Sequence, residues 1–252
     1  MMRVYIKELS KAYRENIVLN NLNLTIENNT TYCLLGKNGA GKSTLLNIIV
    51  NIIEPSKGAV NIDGLNYQEN ELAIKKQMGI QSEFDQIVGE LDAVDYLYWI
   101  GLLYDMDKVE LLQRIEKILE YFFEDEDDLL KLTKNFSSGM RKKLSICAAV
   151  LHRPNLLILD EPFANLDPVA SKKLCSFINA YKAPERVIIV SSHDLLYVDK
   201  IATHIGVLHN QELIFNGSLT DFKENGTASI DGELLKYLQP ENQDHSLLNA
   251  IV

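Results

Sequence analysis

The chain has 252 residues, 46% hydrophobic and 24% charged, with a formal net charge of −10 at pH 7. That length holds one large α/β domain or two small ones with a real core. The acidic balance argues against broad nucleic-acid binding, which favours a basic face, while leaving room for a local basic patch. Three cysteines, Cys33, Cys147 and Cys175, are scattered through apolar or helical segments without a C-x-x-C spacing. They read as reduced thiols of an intracellular protein, not as a disulfide framework or zinc site. No apolar h-region follows Met1–Lys7 and no stretch approaches ~18 apolar residues, so neither a signal peptide nor a membrane span is expected. Any membrane role then requires a partner.

In chain order, Val4-Tyr5-Ile6 and Leu22–Ile26 read as short strands, with Leu9–Arg14 between them. The apolar run Thr31–Leu35 reads as a buried strand entering Gly36-Lys37-Asn38-Gly39-Ala40-Gly41-Lys42-Ser43-Thr44, which fits G-x-x-x-x-G-K-[ST]. Leu45, Ile48, Ile49 and Ile52 leave it at helical spacing. A strand, a glycine loop and a helix in that order form a phosphate cradle. The glycines let backbone N–H groups turn inward, and the helix N-terminus adds its positive dipole. Lys42 is placed to reach the β- and γ-phosphates of a nucleotide, and the Ser43 hydroxyl to ligate Mg²⁺.

Pro55 ends that helix, Lys57-Gly58 reads as a turn, and Ala59–Ile62 as a further strand closed by Asp63-Gly64. Met78–Gln81 is a buried strand ending on a polar residue. From about Ser82 to Asn135 helical periodicity dominates, as in Val109, Leu112, Ile115, Leu119 and Phe122. The acidic run Glu124–Asp128 inside it reads as a solvated loop. Ser137 opens another helix with the apolar stripe Leu144, Cys147, Ala148 and Leu151, and Pro154 lies just past its end. Leu156–Leu159 and Arg186–Val190 are apolar without alternation, as in a parallel sheet covered on both faces. The first delivers Asp160-Glu161, the second Ser191-Ser192-His193. Gly206–Leu208 and Glu212–Phe215 follow around His209-Asn210-Gln211, and the tail carries helical segments at Leu219–Lys223 and Gly232–Leu238. An Asp at the end of an apolar strand beside a phosphate loop suits Mg²⁺, and Glu161, the next residue, is the natural general base for a water in line with the γ-phosphate.

Phosphate loop, Gln81, a serine-glycine pair opening a helix, Asp160-Glu161 and His193 occur in an order that resembles the ATP-binding cassette (ABC) ATPase family, from about Arg3 to Gly217. The resemblance implies an α/β fold: a P-loop NTPase core with a mostly parallel sheet, an N-terminal antiparallel β subdomain and an inserted α-helical subdomain. The expected division is residues 1–81 and 154–217 for the core with its antiparallel part, 82–153 for the helical insert and 218–252 for a tail. It also implies ATP and Mg²⁺ as ligands. Gln81 would contact Mg²⁺ or the attacking water, alongside Ser43 and Asp160, and His193 the γ-phosphate. Tyr13 would stack on adenine, its other reading being a plain strand-edge aromatic.

Ser137-Ser138-Gly139-Met140, after Phe136, matches the family signature, usually Leu-Ser-Gly-Gly-Gln, which meets the γ-phosphate of a second subunit. Ser138 departs from that pattern, and its Cβ would constrain a backbone approach that Gly permits. Arg141, Lys142 and Lys143 read either as added positive field or as a solvated helix face. Asp167, in Ala164-Asn165-Leu166-Asp167, would lie at the dimer seam. One module per chain implies a second nucleotide-binding subunit, a homodimer being the expectation, and an integral membrane permease on whose cytoplasmic side the protein sits peripherally. Among members of the family the pattern looks most like small bacterial exporters for drug, bacteriocin or lantibiotic self-protection. A soluble ABC-type ATPase acting on nucleic acid or ribosomes is the alternative. Phe84, Tyr96 or Trp99 is expected to line the groove where the permease docks.

Overall fold

The computed structural model describes residues 2–83, 87–224 and 228–238. β1 (Val4–Tyr13) and β2 (Asn16–Ile26) form an antiparallel hairpin, and β3 (Thr30–Leu35) runs into α1 (Lys42–Ile49). β4 (Lys57–Ile62) returns to pair antiparallel with β1, and α2 (Tyr67–Lys75) leads to β5 (Met78–Gln81). Four helices follow: α3 (Ala93–Leu103), α4 (Lys108–Phe122), α5 (Glu126–Leu129) and α6 (Ser138–Val150). Then come β6 (Leu156–Asp160), α7 (Pro168–Tyr181), β7 (Val187–Ser191) and α8 (Leu195–Ile201). β8 (His204–His209), β9 (Glu212–Ser218), α9 (Leu219–Phe222) and α10 (Ile230–Leu238) complete the described chain. β2-β1-β4 make one sheet. The other has the order β5-β6-β7-β3-β8-β9, parallel except for the antiparallel edge strand β9.

The apolar strands divide their side chains between two cores with the period of two that a strand imposes. Cys33 and Leu35, Leu157 and Leu159, and Ile188 and Val190 face one core with Leu144 and Cys147 of α6 and Leu174 of α7. Tyr32 and Leu34, Leu156 and Ile158, and Val187 and Ile189 face the other with Leu45, Ile48 and Ile49 of α1 and Val4, Ile6 and Ile62 of the antiparallel sheet. Each such side chain contributes roughly 1.5–3 kcal/mol by leaving water. The helices after β5 share the first of these cores, so the helical arm is packed onto the sheet. All three cysteines are buried and free.

The register aligns the polar strand ends. Gln81 lies opposite Leu159, Asp160 opposite Ser191, and Leu34 opposite Ser191 from the other side. The phosphate loop, Gln81, Asp160-Glu161 and the Ser191–His193 turn therefore share the carboxyl edge of the sheet, where open α/β sheets bind ligands.

Several boundaries differ from the sequence reading. β1 and β2 extend to Tyr13 and from Asn16, and Lys57-Gly58 begins β4 instead of turning, because pairing with β1 continues past the apolar residues. α2 buries only Ile74, so it carries no stripe to read. α7 is missed although Asp167 caps it and Pro168 opens it. Part of the acidic run is a short helix, α5, capped by the Asp125 side chain.

At the end of α6, His152 stacks on Tyr104 at 3.5 Å between ring centroids and 9° between planes, and its Nε2 lies 2.9 Å from the Met78 carbonyl oxygen. A carbonyl only accepts, so Nε2 carries the proton. Nδ1 is buried with no hydrogen-bond partner among the described residues, and a proton there would have nothing to donate to. Burial first, and the nearby Arg114 guanidinium, lower the His152 pKa from 6.5 to about 4, against the bond to Met78. From pH 6.5 down to about 4 the unfolded chain takes up a proton that the folded chain refuses. This contribution to stability is thus present above pH 6.5 and lost through that window. His152→Phe keeps a ring on Tyr104 and removes the titration. Calorimetric midpoints measured from pH 7 to 4 should fall less steeply for this variant than for the parent, and parallel curves would contradict the assignment.

Candidate active site

The phosphate loop begins where β3 ends. Gly41, the residue capping α1, has φ 104°, a left-handed conformation that a side chain resists, and a Cβ there would meet Leu19 Cδ2 at 2.9 Å. No acidic residue lies in the first turn of α1, so the positive end of its dipole is unopposed. The Lys42 ammonium is turned back into its own loop. It is buried, donates to the Gly36 carbonyl at 2.9 Å and the Lys37 carbonyl at 3.4 Å, and lies 3.5 Å from Glu161 Oε1.

β6 and β7 supply the acids and their supports. Glu161 has φ 48°, a strained conformation for a residue with a Cβ. Its backbone N–H donates to the Ser191 hydroxyl at 2.9 Å and the Ser191 carbonyl at 3.2 Å, while that hydroxyl donates to Asp160 Oδ1. Glu161 Oε2 accepts from His193 Nδ1 at 2.8 Å and from the His193 backbone N–H at 3.3 Å. Lys42, Glu161 and His193 thus form one chain of ion pair and hydrogen bond. The His193 side chain is 59% exposed.

Gln81 is fully buried at the end of β5. Its Nε2 donates to the carbonyls of Ser82 and of Asp160, the latter at 3.2 Å, and its Oε1 has no partner among the described residues. An orphaned amide oxygen in a polar site suits a hard cation. Gln81 and Asp160 line a small pocket next to β5 and β6, and Ser43 lines the cavity over the loop; all three offer the oxygen donors that Mg²⁺ takes, so their chemistry fits that ion.

A cavity of about 660 Å³ lies over the loop, within the range of small-molecule sites. Asn38, Gly39, Lys42, Ser43, Glu161 and His193 line it, as expected from sequence. Val18, Glu83, Lys142 and Asn165 also line it, and the sequence did not single them out as ligands. Of the three bases after the signature, the dichotomy between added field and solvated face resolves by position: Lys142 is buried and the other two are partly exposed.

Other expected residues lie apart from this cavity. Tyr13, at the tip of β1, is 45% exposed with the Lys11 ammonium 5.0 Å from its ring, and does not line the cavity. Neither do Ser137–Met140. Ser137 caps α6, its Oγ accepting from the Met140 N–H at 3.2 Å, and Ser138 is exposed. The crowded position is Gly139, where a Cβ would meet the Asn165 carbonyl oxygen at 2.9 Å. The steric constraint expected at 138 therefore sits one residue later. Asp167 caps α7, accepting from Val169 N–H at 2.8 Å and Ala170 N–H at 2.9 Å, and the Ala170 bond leads in holding its carboxyl below the usual range. Of the proposed docking aromatics, Tyr96 belongs to the core and Trp99 is 58% exposed, while Phe84 lies outside the described residues.

Residues 19–164 match the family model described as ABC transporter. The ABC-type transporter ATP-binding protein EcsA of Bacillus subtilis is 31% identical over 248 residues, 97% of this chain and 100% of that protein. The bacitracin transport ATP-binding protein BcrA of Bacillus licheniformis is 30% identical over 90% of this chain and 73% of its own length. A solved ATP-binding subunit of an ABC transporter superposes with a TM-score of 0.83 at 29% identity, covering 92% of this chain and 98% of that one.

Lys42→Ala removes the loop's buried cation and strands Glu161. Losing one charge-assisted contact costs about 1.5–3 kcal/mol, so affinity for a fluorescent ATP analogue should fall about 10- to 100-fold in titration. For the signature, Gly139→Ala should lower ATP turnover by displacing Asn165, whereas Ser138→Gly should leave it equal or higher. Steady-state rates of the two variants compare these directly, and a large loss in Ser138→Gly would give that serine a contact of its own.

Proposed function

The chain belongs to the ABC transporter family of ATP-binding proteins, and from that premise we propose that it is the ATP-hydrolysing subunit of an exporter, working with a separate membrane permease. The observation that carries this reading is the Lys42–Glu161–His193 chain, buried at Lys42 and Glu161, beside the N-terminus of α1. No helix among the described residues is long and apolar enough to cross a membrane, which fits a subunit that borrows its span. The bacitracin relative supports export of a peptide or drug-like cargo. In this reading residues 1–81 and 154–217 form the nucleotide-binding core, 82–153 the helical arm and 218–252 a tail, and the protein sits on the cytoplasmic face of the membrane.

ATP enters the cavity with its triphosphate over the loop. Lys42 then exchanges two carbonyls and a carboxylate for phosphate oxygens, a gain because phosphate carries more charge. That exchange frees Glu161 Oε1 to accept a proton from water, while Oε2 stays anchored on His193. As the water attacks the γ-phosphorus, its proton passes to Glu161 and the bond to the β–γ bridging oxygen breaks, releasing ADP and phosphate. Ser43, Gln81 and Asp160 would hold Mg²⁺, which neutralises charge on the phosphates. Adenine stacking falls to Tyr13. Ser137–Met140, lying off the cavity of their own chain, are assigned to the nucleotide of a second subunit: the α6 dipole and the Ser137 hydroxyl, which keeps a proton to donate, face phosphate across the seam near Asp167.

Glu161→Gln keeps shape and loses basicity. The variant should bind ATP, hydrolyse it at least about 100-fold more slowly, and elute as a dimer in sizing chromatography with ATP and Mg²⁺. A monomer that turns over ATP at the parental rate would remove both the base and the dimer from this account.

A further inference from the structure

Lys142 is a lysine where the fold offers no solvent. It lies on α6 two residues past the signature, is 2% exposed, and ranks among the largest fully buried side chains of the described residues. Its Nζ donates to the Glu83 carbonyl oxygen at 3.1 Å, and both residues line the phosphate cavity. Glu83 in turn reaches the loop helix, its Oε2 accepting from the Ser43 hydroxyl at 3.5 Å. Gln81, two residues earlier, has its orphaned Oε1 and its bond to the Asp160 carbonyl.

A buried ammonium costs heavily unless it is held, and an apolar side chain of the same length would pack at this position without that cost. What the ammonium adds is a tie. Helix α6 carries the signature at the same end, two residues before Lys142, and Lys142 fastens that end of the helix to the main chain just beyond Gln81. The tie continues through Glu83 to Ser43, so signature helix, glutamine turn and phosphate loop are linked inside one chain by two hydrogen bonds.

We propose that Lys142 is a positioning residue for hydrolysis, which keeps the Gln81 side chain in register with Asp160 by holding the Glu83 carbonyl, and so makes the site sense the placement of its own signature helix. Lys142 acts through its bond to the turn. The Lys42 contacts to the loop carbonyls do not run through this tie, so its loss falls more on the chemical step than on phosphate binding. The inference rests on the ATPase reading above.

The experiment uses the full chain and the variants Lys142→Met, which keeps length and packing, and Lys142→Arg, which keeps a donor. Five quantities are read: thermal midpoint, affinity for a fluorescent ATP analogue without metal, kcat for ATP, KM for ATP, and deuterium uptake of a peptide spanning Gln81–Glu83. For Lys142→Met, metal-free affinity and KM should stay within about threefold, kcat should fall about tenfold or more, the loss expected for one positioning hydrogen bond, and uptake should rise even without nucleotide. Lys142→Arg should recover most of both. Unchanged kcat and uptake in a folded Met variant overturns the proposal. So does an Arg variant with the parental midpoint and no recovery, which would make Lys142 a packing element only. A parent chain that hydrolyses no ATP would instead overturn the ATPase reading.

Discussion

Everything at the site hangs on the junction between β6 and β7 at Ser191. Its hydroxyl accepts from the Glu161 N–H and donates to the Asp160 carboxylate, and its carbonyl accepts from Glu161 again. One residue thus fixes both acids on neighbouring positions while Glu161 holds a left-handed backbone. Such a conformation persists only where its surroundings over-determine it. Here they do so through a fully apolar parallel sheet that leaves β6 and β7 no freedom to slip, since a slip by one residue would exchange the two cores.

The same junction accounts for the electrostatics. Lys42 leans on Gly36 and Glu161, and Glu161 on His193. A buried cation and carboxylate are tolerable only as a pair. A triphosphate therefore enters a site whose cation already has partners, and its extra charge is what outcompetes them. In the proposed reaction binding and activation of the base are one event, because the Glu161 atom paired with Lys42 is the one that would accept a proton from water.

The helical arm is tied to this site at two places. Near the signature, Gly139 allows α6 to approach the Asn165 carbonyl, and Asn165 borders the cavity. One turn along, Lys142 reaches Glu83. The arm shares a core with one face of the sheet, so these polar contacts steer a body that hydrophobic burial already holds.

The phosphate loop, the two acids and the parallel sheet were legible in the sequence, because each is encoded locally: a glycine spacing, an apolar run without alternation, a carboxylate at its end. Order along the chain carried the likeness to the ABC family, and with it Gln81 and His193. Helix α2 was not legible, since one buried Ile74 makes no periodicity, and the extra length of β1 and β2 depends on partners across the sheet. Lys142 stood between two other bases and was indistinguishable from a solvated face, and Ser138 looked like the crowded position when Gly139 is. Residue types and their spacing determined the phosphate loop, the family likeness and which groups to expect beside the loop. Only the tertiary structure decided which way each side chain turned: helix rotation and the approach of residues far apart in sequence put Lys142 and Glu83 in the cavity, left Tyr13 and the signature outside it, and folded Lys42 back onto Glu161.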